Sequence, residues 1–100
     1  MLKIEKKIDS GIFLLELNGQ ITSETAAAFD EELKSAPEGI QNITLDMSNL
    51  TFISSSGLRA ILGAQKRLDA VNGHIYIKNV RPDIMDVFEM VNFTRFLLIK

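Results

Sequence analysis

The chain reads as an α/β fold in the order ββαβαβαβ, a mixed and mostly parallel sheet with helices packed mainly on one face. Three observations lead there. After an initial hairpin, short β-rich segments alternate with amphipathic helical ones, the pattern of right-handed crossovers onto a parallel sheet. The first strand segments carry polar residues on alternate positions, so one sheet face needs no helical cover. Turn residues separate most of the elements. A length of 100 residues predicts one core and a single domain over 1–100.

Leu2 to Ile8 alternates loosely and predicts an edge strand, and Asp9-Ser10-Gly11 is turn chemistry. Ile12 to Leu17 completes a β-hairpin, apolar enough near its centre for cover on both faces. Asn18-Gly19 and Gln20-Ile21-Thr22 predict a loop. Thr22 or Ser23 is expected to cap the first helix, with Glu24 in its first turn, where a carboxylate favours the helix dipole. Ala26, Phe29, Leu33 and Ala36 form its narrow apolar stripe, and Pro37-Glu38-Gly39 ends it. Asn42 to Met47 is the third strand, with Ile43, Leu45 and Met47 on one face and a short loop to follow.

The second helix is expected to begin in the serine run and to bury Leu58, Ile61, Leu62 and Leu68, with Asn72-Gly73 as its stop. His74 to Lys78 is the fourth strand. Pro82 suits the first turn of a third helix, whose stripe is Ile84, Val87, Phe88 and Val91 and which Asn92 closes. Met85 and Met90 fall beside that stripe, as core edge or as a soft contact surface. Phe96 to Ile99 is a last short strand.

Composition narrows the function. The net charge of −2, without a basic block, argues against nucleic acid, which demands clustered Lys and Arg. With no cysteine there is no thiolate chemistry or disulfide framework. A single histidine, His74, argues against a metal site, and nothing calls for a cofactor. No apolar run approaches the roughly 20 residues of a membrane span, so direct membrane insertion is not expected. The N-terminus lacks the apolar core of a signal peptide. The expected location is cytoplasmic.

The most informative stretch runs from Asp46 to Leu58, where a strand leads into Ser54-Ser55-Ser56 and then Gly57-Leu58. Serine at a helix start accepts a hydrogen bond from an orphan backbone N–H. The same position favours a phosphate through those N–H groups and the dipole. The cluster is therefore either plain capping or a switch. Gly57 serves close packing at the helix start or approach by a partner, with packing preferred. Asp46 is expected to hydrogen-bond nearby loop N–H groups or to support an acceptor serine, the former preferred. The acidic run Asp30-Glu31-Glu32 reads as a solvated helix face.

Asp46-Met47-Ser48-Asn49-Leu50-Thr51-Phe52-Ile53 followed by Ser55-Ser56-Gly57-Leu58 resembles the STAS domain, as do Leu17-Asn18-Gly19 and Asn72-Gly73 at its flanks. That family includes bacterial anti-sigma factor antagonists and the cytoplasmic tails of sulfate transporters. The resemblance implies a module that binds an anti-sigma factor serine kinase when unphosphorylated and releases it when phosphorylated. A serine phosphatase reverses the change, and transcription is controlled by partner switching. By position the implied phosphoacceptor is Ser55, with Ser54 and Ser56 as secondary candidates. The implied docking surface comprises Ser54, Ser55, Ser56, Gly57 and Leu58 together with Gln20 and Thr22. The aspartate usual before the acceptor is Ser54 here.

A second reading keeps the fold but makes the chain a constitutive scaffold or a cytoplasmic subunit of a lipid transporter. A serine hydrolase is not expected. Its nucleophile needs a base within hydrogen-bond reach, His74 opens a strand whose start faces away from the serine loop, and no G-x-S-x-G elbow is present. Nor is there a Walker-type phosphate loop. No catalytic residues are assigned, and oligomeric state is not readable from the sequence.

Overall fold

The structure, a computed structural model, describes residues 1–93 and 97–99. Its elements are β1 (Leu2–Asp9), β2 (Ile12–Ile21), α1 (Ala26–Lys34), β3 (Asn42–Ile53), α2 (Ser55–Asp69), β4 (Ile75–Lys78), α3 (Pro82–Met90) and β5 (Leu98–Ile99). The expected order is thus observed. The strands lie in sequence order across one sheet, with β1 antiparallel to β2 and every later neighbour parallel. Phe96, expected to open the last strand, lies outside the described residues.

Alternation explains which face is covered. Phe13, Leu15 and Leu17 of β2, Ile43, Leu45 and Met47 of β3, and Ile75 and Ile77 of β4 are buried. They share one core with Ala26, Phe29 and Leu33 of α1, Leu58, Ile61, Ala64 and Leu68 of α2, and Ile84 and Phe88 of α3. The intervening residues Leu14, Glu16, Thr44, Asp46, Tyr76 and Lys78 are only half-buried, on the face away from the helices. Burying apolar area at about 25 cal/mol per Å² drives this one-sided arrangement.

Two strands run further than their alternation predicts. Gln20 and Ile21, expected in a loop, continue β2 and pair with Phe52 and Ile53 of an extended β3. Glu16 and Asn18 are two steps apart where their partners Asp46 and Asn49 are three apart, and adjacent Gly19 and Gln20 face Leu50 and Phe52. β3 therefore carries one extra residue at each of two bulges. Each bulge resets which face a side chain points to. The buried positions Met47, Leu50 and Ile53 are consequently three apart, a spacing that conceals a strand. Gly19 permits the irregularity in β2 with φ +111°, where a Cβ would collide with the Met1 carbonyl.

The first helix also starts later than expected. Thr22 caps not α1 itself but a turn leading into it, its hydroxyl accepting from the N–H groups of Glu24 (3.2 Å) and Thr25 (3.3 Å). Thr25 occupies the N-cap position and its Oγ1 accepts from the Thr22 N–H at 2.8 Å. Glu24 thus precedes the helix, and the first turn of α1 contains no acidic residue. At α3, Val91 lies beyond the helix as its C-cap and is 41% exposed rather than part of the stripe. Met85 is half-buried and Met90 exposed.

The far end of α2 is held by Gln65, the buried polar residue of the core. Its Oε1 accepts from the Ile75 N–H at 2.9 Å, and its Nε2 donates to Asp69 Oδ1 at 2.8 Å and to the Gly73 carbonyl at 3.3 Å. One amide thereby joins the end of α2 to the start of β4. Gln65→Leu preserves volume but leaves the buried Ile75 N–H without its acceptor. The expected loss is about 2 kcal/mol of unfolding free energy, read by urea denaturation.

Candidate functional site: the start of α2

The three serines are adjacent in sequence but unlike in surroundings. Ser54 is the N-cap, with extended backbone at φ −85° and ψ 169°. Its hydroxyl accepts from the Gly57 N–H at 3.1 Å, its own N–H donates to the Ile21 carbonyl at 2.8 Å, and its carbonyl accepts from the Leu58 N–H at 3.0 Å. The bond to Ile21 fastens the helix start to the end of β2, and the other two close its first turn. An aspartate at this position would accept the same capping bond; serine keeps it without the charge.

Ser55 is the first residue of α2 and is exposed; among the described residues its hydroxyl has no hydrogen-bond partner. Ser56 is half-buried and lines a cleft of about 260 Å³ between the two helices, with Ala26, Ala27, Asp30, Arg59 and Ala60. Capping and exposure therefore fall to different serines.

Gly57 and Leu58 are buried and set the position of the helix rather than present side chains to solvent. A Cβ on Gly57 would lie 2.6 Å from Ile21 Cγ2 and 2.9 Å from Ile53 Cγ1. That glycine lets α2 begin directly on the ends of β2 and β3. Gln20 is exposed beside this point and Thr22 is half-buried. Thr51 Oγ1 donates to the Gly19 carbonyl at 3.1 Å, tying the two strand ends together.

Phe52, across the sheet register from Gln20, is 50% exposed, and little in the sequence marks it as a surface residue. A large aromatic in a strand normally predicts core. The second bulge turns this one outward, and only the unusual Leu50-x-x-Ile53 spacing hints at it. The end of the sheet where α2 begins thus carries an exposed Ser55, an exposed Phe52 and an exposed Gln20.

Asp46 takes the structural role. Its Oδ1 accepts from the Ser48 N–H at 3.0 Å and from Asn79 Nδ2 at 3.1 Å, at the first bulge of β3. Partial burial alone would raise its pKa, but the bonds from Ser48 and Asn79, with Lys78 nearby, outweigh it and hold the carboxyl below the usual aspartate value. A lowered folded-state pKa gives stability that is full above the unfolded value and is lost as pH falls through the folded one. Asp46→Asn should therefore be less stable than the parent at neutral pH, the gap closing as pH drops below the ordinary carboxylate range. Thermal unfolding at stepped pH measures it.

His74 is exposed at the opposite end of the sheet, where its N–H meets Asn42 Oδ1 at 3.0 Å at the beginning of β3. It lies the length of β3 away from Ser55. Among the described residues no group of three His, Cys, Asp or Glu side chains is placed to hold a metal, and no helix is long and apolar enough to cross a membrane.

The family model for the STAS domain matches residues 3–100. The chain belongs to the STAS domain family. This STAS domain is 34% identical over 88 residues to the candidate anti-sigma factor antagonist BtrV of Bordetella bronchiseptica, covering 87% of the chain and 75% of the relative. It is 29% identical over 91 residues to the anti-sigma F factor antagonist of Paenibacillus polymyxa, covering 89% and 78%. Its fold matches that of the anti-sigma factor antagonist SpoIIAA in the unphosphorylated form, with a TM-score of 0.78 at 20% identity over 100% of this chain and 87% of the other. The phosphorylated form of SpoIIAA, from Bacillus, gives 0.75 at 20% identity over 100% and 91%.

Proposed function

We propose that this STAS domain is a cytoplasmic anti-sigma factor antagonist whose binding is switched by phosphorylation of Ser55. One observation carries the proposal: Ser55 alone of the three serines is exposed with a hydroxyl that has no partner among the described residues, on a helix start that Ser54 already caps. Relatives named as antagonists support the role, and SpoIIAA, with the same fold, exists in both unphosphorylated and phosphorylated forms.

The domain is the acceptor, not the catalyst, and requires no cofactor. An anti-sigma factor serine kinase transfers the γ-phosphoryl group of its nucleotide to Ser55 Oγ. The new O–P bond replaces the bond to the leaving diphosphate, and the hydroxyl proton passes to a base on the kinase. A phosphatase returns the hydroxyl by adding water. The modified serine carries roughly −1.5 to −2 charge at neutral pH. At a helix N-terminus that charge is favourable within the domain, so the fold persists. On the docking surface of Ser55, Gln20, Thr22 and Phe52 it becomes an interfacial charge without a partner, which costs several kcal/mol on binding. Gly57 and Leu58 hold that surface in place from beneath.

Phosphopeptide mass spectrometry on the protein recovered from its native cells tests the acceptor. Phosphate localised to Ser55 is expected. Phosphate confined to another residue, or none across growth and stress conditions, would overturn the switch.

A further inference from the structure

Arg59 lies one helical turn after Ser55 and is the only basic residue in the first two turns of α2; Lys66 and Arg67 belong to its last turn. Residues four apart on a helix are neighbours, with Cβ atoms about 6 Å from one another. Helical side chains also slant toward the N-terminus, so a long side chain at 59 covers the turn that holds residue 55.

The guanidinium is uncommitted among the described residues. Arg59 is exposed, and no ion pair involving it is formed among the described residues. Asp30 of α1 lines the same cleft, but its carboxylate is held by Lys34 at 2.9 Å. Glu24, the other acidic residue of this region, is exposed in the turn before α1. An unmodified domain thus keeps a forked cation one helical turn from Ser55, lining the cleft with Ser56 and Asp30, and no carboxylate engages it among the described residues.

Resting on the reading of Ser55 as the acceptor, we propose that Arg59 is the intramolecular partner of a phosphate on Ser55, a positioning residue that holds the modified side chain against α2. Guanidinium suits the task because its planar fork donates two parallel hydrogen bonds to phosphate oxygens, which an ammonium cannot reproduce. The helix dipole contributes equally in every Arg59 variant and is not what the proposal rests on.

The test uses the full chain with phosphoserine genetically encoded at position 55, followed by phosphorus NMR against pH. Arg59 stabilises the dianion, so the second phosphate ionisation in the parent falls below its ordinary value near about 6. Arg59→Ala should raise that ionisation by roughly 0.3–0.7 pH units relative to the parent. Arg59→Lys should fall between the two, Arg67→Ala should match the parent, and the differences should shrink at high salt. Equal ionisation in the parent and Arg59→Ala, or an equal shift from Arg67→Ala, would overturn the proposal. Because the phosphate is installed without a kinase, the result stands apart from whether cells phosphorylate Ser55. The parent itself reports whether the modified domain stays folded.

Discussion

Ser55→Asp is expected to leave the fold intact and to weaken binding to the anti-sigma factor by roughly 100-fold. The two halves of that expectation have different origins. Ser55 is exposed at the first position of α2, where a carboxylate meets the positive end of the helix dipole, so the unfolding midpoint should hold or rise slightly. The cost appears only on docking, when the charge loses water without gaining a partner. A carboxylate carries about half the charge of a phosphate, so its effect is a lower bound for the modified protein. Ser55→Ala removes the acceptor without adding charge and should bind as the parent does. Isothermal titration with the purified anti-sigma factor reads the affinity, and circular dichroism reads the fold. An unfolded Ser55→Asp, or one that binds as tightly as the parent, would refute the switch.

The second large effect is at Gly57. Any Cβ there meets Ile21 at 2.6 Å and Ile53 at 2.9 Å, so these buried isoleucines must shift to admit one. Gly57→Val adds a branched side chain into that contact. The expected loss is about 3 kcal/mol, the upper range for overpacking. Gly57→Ala gains helix propensity and should lose less, about 1 kcal/mol. Chemical denaturation reads both. If Gly57→Val still folds, it should displace the start of α2 and impair docking even with Ser55 unmodified. Full stability in Gly57→Val would show that α2 does not rest on these isoleucines.

How far the sequence discloses this depends on how local the cause is. The helical stripes around Phe29, Ile61 and Phe88, and the alternation of Ile43, Leu45 and Met47, depend on near neighbours and lead directly to the observed order and to the one-sided core. The extensions of β2 and β3 depend on bulges, which reset the alternation. Leu50 and Ile53 consequently look like loop residues until the pairing of Gln20 with Phe52 is seen. Thr22 is recognisable as a cap, but the turn it caps precedes α1, a distinction set by its reciprocal bonds with Thr25. Gln65 shows locally only its pairing with Asp69 four residues on, because the backbone groups it satisfies, at Gly73 and Ile75, come from the following turn and strand.

The serine run is legible in the sequence as the start of a helix but not as a division of labour. Three hydroxyls in a row are equivalent capping candidates on paper. The backbone distinguishes them: extended geometry at Ser54 turns its hydroxyl onto the Gly57 N–H, and the first turn of α2 then carries Ser55 outward. Ser54 thus supplies the cap that an aspartate at the same position could also supply.

The most direct measurement mixes the purified domain with the anti-sigma factor kinase and ATP. Phosphate incorporation and complex size are then followed together for the parent and Ser55→Ala. The account predicts one phosphate, on Ser55, with dissociation of the parent complex in step, while Ser55→Ala takes up none and stays bound. Phosphate at another residue, or a parent complex that persists after full modification of Ser55, would contradict it.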